Sequence, residues 1–197
     1  MSIPRIGIIV SSVRDGRFAD SALDWLLPIA NARRDLEFEV LDLKDYLLPL
    51  FYEETPPSAG KPAEDPIGAQ WRSKLDELDG FVFLVAEYNR GPTAALKNAM
   101  DWAYGEWGRK PGACIGYGGT GAARAIEQLR SYMIELQMVP VRQAVYVGGA
   151  EMYAIWNDNK SIGDFPHYAD DANTLFDNLE WWASTLLAAR DETARAA

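Results

Sequence analysis

Short apolar runs, set apart by segments of helical pattern, constrain this chain more than any other feature. Ile6-Gly7-Ile8-Ile9-Val10 is a continuous run of the kind that marks a strand buried on both faces of a parallel sheet. Phe81-Val82-Phe83-Leu84-Val85, Ala113-Cys114-Ile115-Gly116-Tyr117 and Val141 to Val147 repeat the signal. Phe38 to Leu43 alternates and predicts a less buried strand. Between these runs, Phe18, Ala22, Leu26 and Ile29 recur at helical spacing, as do Trp71, Leu75 and Leu78. Pro92 suits the first turn of a helix that continues through Ala95, Leu96, Ala99 and Met100. Ala125, Leu129, Met133 and Leu136 mark another. A last helix, capped by Asp170-Asp171, runs through Leu175, Leu179, Trp182 and Leu186, and Ala188 to Ala197 is expected to fray. Strands alternating with helices make a three-layer α/β sandwich, and right-handed crossovers make its sheet doubly wound and parallel. The expectation is a single domain over residues 1–197.

Composition narrows the function. Lys and Arg total 19 against 29 Asp and Glu, a net charge of −10. So acidic a surface repels polyphosphate, which argues against nucleic-acid or anionic-membrane partners and leaves any bound phosphate to one local site. The single cysteine, Cys114, forms no internal disulfide, and with the single histidine, His167, it is too little for a zinc site. No apolar stretch approaches the ~18 residues of a membrane span, and the short run after Met1 lacks a cleavage site, so the expected location is cytoplasmic. Residues 49–66 carry five of the 11 prolines and predict a long surface excursion. Residues 148–168 hold Met152, Tyr153, Ile155, Trp156 and Phe165 with little regular pattern, and are expected to cover a ligand face or a neighbouring subunit.

Doubly wound sheets bind ligands beyond the carboxyl ends of their strands, near the switch point. That directs attention to three loops. Ser11-Ser12-Val13-Arg14-Asp15-Gly16-Arg17 combines two hydroxyls, two guanidiniums and the free N–H groups of a helix start, a fit receptor for a phosphate. Its spacing is neither a Walker loop nor the Rossmann glycine motif. Ala86-Glu87-Tyr88-Asn89-Arg90-Gly91-Pro92 offers an aromatic and an amide to a flat heteroaromatic ligand, and fits a plain turn equally well. Tyr117-Gly118-Gly119-Thr120-Gly121 lets the backbone approach a ligand edge or simply packs tightly.

Glu87-Tyr88-Asn89, followed by Leu96-Lys97-Asn98-Ala99-Met100-Asp101-Trp102, closely resembles the Pro-Glu-Tyr-Asn…Leu-Lys-Asn-Ala-Ile-Asp-Trp signature of the NADPH-dependent FMN reductase family. Ser11 to Arg17 looks like that family's phosphate loop and Tyr117-Gly118-Gly119 like its third loop. Leu41-Asp42-Leu43 and Leu48-Pro49-Leu50 match its second strand and the turn after it. The resemblance covers about residues 5 to 150. Ser11 stands where the family has Gly, Ala86 where it has Pro, and Arg90 where a small residue is common.

The resemblance implies a flavodoxin-like sandwich with a five-stranded parallel sheet of order 2-1-3-4-5. It implies non-covalent FMN, with NADPH or NADH as electron donor and a small oxidised acceptor: quinone, azo compound, free flavin or metal oxyanion. It places Ser11, Ser12, Arg14, Arg17 and Phe18 around the phosphate. Ala86, Glu87, Tyr88, Asn89 and Arg90 line the isoalloxazine, and Tyr117, Gly118 and Gly119 form its other edge. Arg14, Arg17 and Arg90 are the cations available to a 2′-phosphate. The cofactor carries the chemistry, so no catalytic acid–base residue is required. A homodimer or homotetramer is implied, with Phe51 and Tyr52 of the proline-rich loop offered to the interface. A flavodoxin-like electron carrier with protein partners is the alternative. Cys114 is expected to be a buried, inert thiol and His167 a surface residue. Lys97, Asn98 and Asp101 are expected to tie loops together, and Trp102, Tyr104 and Trp107 to be core or interface.

Overall fold

The computed structural model describes residues 2–196. Five strands, β1 (Arg5–Val10), β2 (Glu37–Asp42), β3 (Gly80–Ala86), β4 (Pro111–Tyr117) and β5 (Val139–Val147), form one parallel sheet of order β2-β1-β3-β4-β5. The helices are α1 (Ala19–Ala32), α2 (Leu43–Tyr46), α3 (Pro66–Asp76), α4 (Ala94–Asp101), α5 (Ala123–Glu135), α6 (Gly149–Asn157) and α7 (His167–Ala196). This is the flavodoxin-like arrangement the motifs imply.

The side-chain alternation of the strands splits the core into two layers. Ile6, Ile8, Val10, Val82 and Leu84 pack against Leu26 of α1 and Leu175, Phe176 and Leu179 of α7. Ile9, Phe81, Phe83 and Val85 face Trp71, Leu96, Trp102, Trp107 and Leu129 on the other side. Both faces of the central strands are therefore covered, which is why β3 and β4 are buried along their whole length. β2, at the sheet edge, is half-exposed.

Three elements differ from expectation. The second strand stops at Asp42 because Asp42 caps α2, accepting from the Lys44 N–H at 2.9 Å. The last helix begins at His167, so Asp170 lies in its first turn, where a negative charge meets the helix dipole. The helix also runs on to Ala196, tethered by Arg190, which donates to Asp79 at 2.5 Å and to the Arg109 carbonyl at 2.8 Å. Of the stretch expected to fray, Ala197 lies outside the described residues, as does Met1. Residues 148–168 are ordered as α6 and a 3₁₀ turn, Ile162–Asp164. No helix of the described residues is long and apolar enough to cross a membrane.

The proline-rich excursion stays irregular apart from one 3₁₀ turn, Pro57–Ala59. It is fastened by α4. Asn98 donates to the Leu48 and Pro49 carbonyls at 3.3 and 2.8 Å and accepts from the Phe51 N–H at 2.9 Å. The Trp102 indole donates to Pro49 at 2.7 Å. Phe51 packs edge-on against Trp102, centroids 5.1 Å apart, so of the two aromatics offered to an interface only Tyr52, 65% exposed, faces solvent. Asn98→Ala is expected to cost about 1–3 kcal/mol, since several backbone groups lose their partner. Urea denaturation reads the loss, and faster proteolysis between residues 49 and 66 locates it.

Candidate functional site

β1, β3 and β4 end side by side: Val10 pairs with Leu84, and Ala86 with Tyr117. The three loops thus leave the sheet together, at the switch point between β1 and β3.

Ser11 is the pivot. It is fully buried. Its N–H donates to the Leu84 carbonyl at 3.3 Å, its Oγ accepts from the Ala86 N–H at 3.2 Å, and its carbonyl accepts from Thr93 Oγ1 at 2.6 Å. Thr93 also caps α4 through the Leu96 N–H. Ser12 and the Tyr88 hydroxyl are 2.7 Å apart, joining the first loop to the second.

Arg17 is buried beneath the first loop. It forms a two-pronged pair with Asp42, donates to Asp20 at 2.7 Å and to the Ser12 carbonyl at 2.5 Å. Burial opposes ionisation of Asp42, yet Arg17 and the Lys44 N–H hold its carboxyl below the usual range. Arg17 therefore shapes the loop from behind. Arg14 is exposed and makes no ion pair among the described residues. The backbone N–H groups from Ser12 to Arg17 have no protein acceptor among the described residues. They lie at the start of α1, whose N-cap, Phe18, supplies no side-chain cap. A helix start without a cap, preceded by free N–H groups, is an anion receptor.

The second loop closes as a tight turn. Tyr88 and Gly91 exchange hydrogen bonds at 2.9 and 3.1 Å, with Asn89 and Arg90 at φ 52° and 72°. Asn tolerates that region, whereas Arg is strained there. Tyr88, Asn89 and Arg90 are exposed, and Tyr88 presents 41% of its surface. Glu87 turns the other way. Its carboxylate pairs with Arg124 and accepts from the Arg124 and Ala125 N–H groups at 3.2 and 3.3 Å, capping α5. Gln128 adds a bond to the Arg90 carbonyl at 2.7 Å. Burial alone would raise the Glu87 carboxyl, but Arg124 and the α5 N–H groups hold it low.

In the third loop Gly118 sits at φ 132°, a region open to glycine, and a Cβ on Gly118 or Gly119 would meet nothing within 4 Å. Both glycines therefore leave open space beside the end of β4. Tyr117 points inward, its ring 5.3 Å from Phe18, and its hydroxyl is buried with no hydrogen-bond partner, the sole such side-chain atom found among the described residues. Burial pushes that hydroxyl above the ordinary tyrosine range. Cys114 lies buried in β4, its thiol pushed up to about 12, which leaves it inert.

All of the sequence-predicted residues gather in these loops. Arg14, Tyr88, Asn89, Arg90, Gly118 and Gly119 are on the open side. Ser11, Ser12, Arg17, Phe18, Ala86, Glu87 and the Tyr117 side chain lie beneath it. Sequence reasoning missed Asp42, Asp20, Arg124 and Gln128, which hold the loops from other elements. Thr93 was recoverable as a hydroxyl just ahead of a helix.

Residues 4–151 match the sequence profile of the NADPH-dependent FMN reductase family. An NAD(P)H-dependent FMN reductase of a Nectria species is 29% identical over 163 residues, 78% of this chain and 81% of that protein. A 2-hydroxy-1,4-benzoquinone reductase of a Burkholderia species is 31% identical over 186 residues, 90% of this chain and 95% of that one. The structure of the flavoenzyme NAD(P)H:(acceptor) oxidoreductase FerB from Paracoccus denitrificans superposes with a TM-score of 0.70 at 25% identity, covering 90% of this chain and 98% of that one.

Glu87→Gln tests the clasp between the second and third loops. A carboxyl held low in the fold contributes stability that is present above its ordinary value of 4.5 and is lost as pH falls through the folded-state value. The gap between denaturation midpoints at about pH 7 and about pH 3.5 should be smaller in the variant than in the wild type, the remainder coming from other carboxyls held low, Asp42 among them.

Proposed function

The chain belongs to the NADPH-dependent FMN reductase family and is an NAD(P)H-dependent oxidoreductase that works through FMN, and we propose that the three loops are its flavin shelf. FMN, when bound, would supply the electron transfer between NAD(P)H and an oxidised acceptor. The residues fit this cofactor. The row of unpaired N–H groups from Ser12 to Arg17, at an uncapped helix start, carries the assignment. The space over Gly118 and Gly119 and the unpartnered Tyr117 hydroxyl agree with it.

Each group then has a task. The first-loop N–H groups and Arg14 hold the phosphate, with Ser11, Ser12, Arg17 and Phe18 fixing the loop's shape. Tyr88, Asn89 and Arg90 flank the isoalloxazine, with Ala86 and Glu87 supporting them. Gly118 and Gly119 admit its other edge beside Tyr117. Fixed backbone dipoles there favour negative charge on the ring without reorganising. No titratable residue has to accept electrons, which suits a chain whose one thiol is inert.

Quinone is the acceptor class we favour, because relatives matching most of this chain include a benzoquinone reductase and a quinone reductase. The electron-carrier alternative falls away, since the relatives are reductases. The protein works as a homodimer or homotetramer. Leu47, Leu50 and Tyr52 are 76, 79 and 65% exposed. Leu47 shares a groove of about 260 Å³ with Val13 of the first loop, so a second copy seated there would cover apolar surface beside the shelf.

Anaerobic titration of the FMN-loaded protein tests the assignment. The oxidised flavin band should bleach on mixing with NADPH or NADH, the faster nucleotide being the preferred donor. A protein that takes up no FMN would refute it. Gly119→Val should leave the apoprotein's melting temperature unchanged, because its Cβ meets open space. It should weaken FMN binding at least about 10-fold by filling the shelf, read by quenching of flavin fluorescence.

A further inference from the structure

Next to the third loop, the chain's single histidine stands in a polar cluster that the flavin shelf does not use. His167 opens α7, with 52% of its side chain exposed, and its Nε2 lies 3.3 Å from Oε2 of Glu151, in the first turn of α6. Its ring packs at a tilt of 43° against Tyr168, centroids 4.2 Å apart. The Tyr168 hydroxyl donates to the same Glu151 oxygen and accepts from the Gly148 N–H at 3.4 Å. Burial, then the bond to Glu151, push this phenol up to about 12, so near neutral pH it remains a neutral donor that orients the carboxylate.

The cluster is sewn to the shelf. The Gly118 N–H donates to the Val147 carbonyl at 3.1 Å, and the Gly149 N–H donates to the Gly119 carbonyl at 3.2 Å. Glu151 follows two residues later. The imidazole–carboxylate pair is thereby linked to the third loop through Tyr168, Gly148 and Gly149, with the imidazole half-exposed.

We propose that His167 is the general acid that completes quinone reduction, with Glu151 and Tyr168 as its positioning residues; the proposal rests on the quinone acceptor named above. Turning a quinone into a hydroquinone takes two electrons and two protons. NAD(P)H supplies both electrons and one hydrogen, as hydride, and is oxidised to NAD(P)⁺. The second proton comes from the imidazolium: the N–H bond at Nδ1, the ring nitrogen that does not face Glu151, breaks, an O–H bond forms on the quinone oxygen, and the imidazole is reprotonated from water. In sequence, Asp170 and Asp171 follow His167 within one turn of α7, and Lys160 and Asp164 precede it on the loop. Asp164 is spent on Ser161, and residues 118–121 carry no charge.

The test compares turnover of a benzoquinone with turnover of ferricyanide, a one-electron oxidant that needs no proton, across about pH 6 to 8.5. The FMN-loaded wild type, His167→Gln and Glu151→Gln are each measured. Alongside, NMR of the histidine-labelled apoprotein follows the titration of the single imidazole. The quinone-to-ferricyanide ratio should fall at least about 10-fold in His167→Gln, and its pH dependence should vanish. In Glu151→Gln the imidazole resonances of the apoprotein should shift, and the quinone-to-ferricyanide ratio should fall, because the ring loses the carboxylate that orients it. An unchanged ratio and profile in His167→Gln would overturn the proposal, as would imidazole resonances indifferent to Glu151→Gln. A wild type that reduces ferricyanide but no quinone removes the acceptor assignment and this proposal together. Quinone reduction indifferent to His167 removes this proposal alone.

Discussion

Ser11 makes three hydrogen bonds in three directions, and the site depends on them. Its N–H continues the pairing of β1 with β3, its hydroxyl holds the first residue pair beyond that ladder, and its carbonyl receives the hydroxyl that caps α4. A glycine here, as in the resembling family, would lack the hydroxyl bond to Ala86. Because every partner is buried, each bond is costly to leave unmade. The first and second loops therefore leave the sheet in a fixed relation, which sets the proposed phosphate receptor and ring shelf relative to each other before any ligand arrives.

Electrostatics serve the same end. The chain is strongly acidic, yet two cations at the loops are consumed internally: Arg17 by Asp42 and Asp20, Arg124 by Glu87. What remains for an anion is a row of backbone N–H groups, the start of α1 and the exposed Arg14. Backbone dipoles fixed by the fold bind an anion with little reorganisation, and the repulsive surrounding charge confines binding to that point.

Pattern and propensity made much of this legible. The apolar runs identified the five strands, and the helical spacings identified five of the seven helices in outline, because burial on one face or both leaves a period in the chain, whereas the four-residue α2 fell at the expected end of the second strand. α6 was invisible: its residues 149–157 show no clean apolar stripe, and its hold comes from the third loop and from Tyr168. The three loops were also legible, since glycines, hydroxyls and a turn sequence at strand ends announce themselves. The roles of single side chains were not. Arg17 reads as a phosphate ligand until Asp42 approaches it from another strand, and Glu87 reads as a ring neighbour until α5 presents its N–H groups.

Sequence by itself determined the class of the fold, the order of strand and helix, and the loops that bear ligands, because these follow from local period and turn chemistry. Tertiary structure decided which side chains face the ligand and which hold the loops from behind. It also brought His167, Glu151 and Tyr168 together, linked to the third loop. Those outcomes depend on partners 25 residues away for Arg17, 37 for Glu87 and 16 for His167. A charge cannot signal in sequence what will stand opposite it, since ion pairs and hydrogen bonds act over a few ångströms of space and the distance along the chain does not enter.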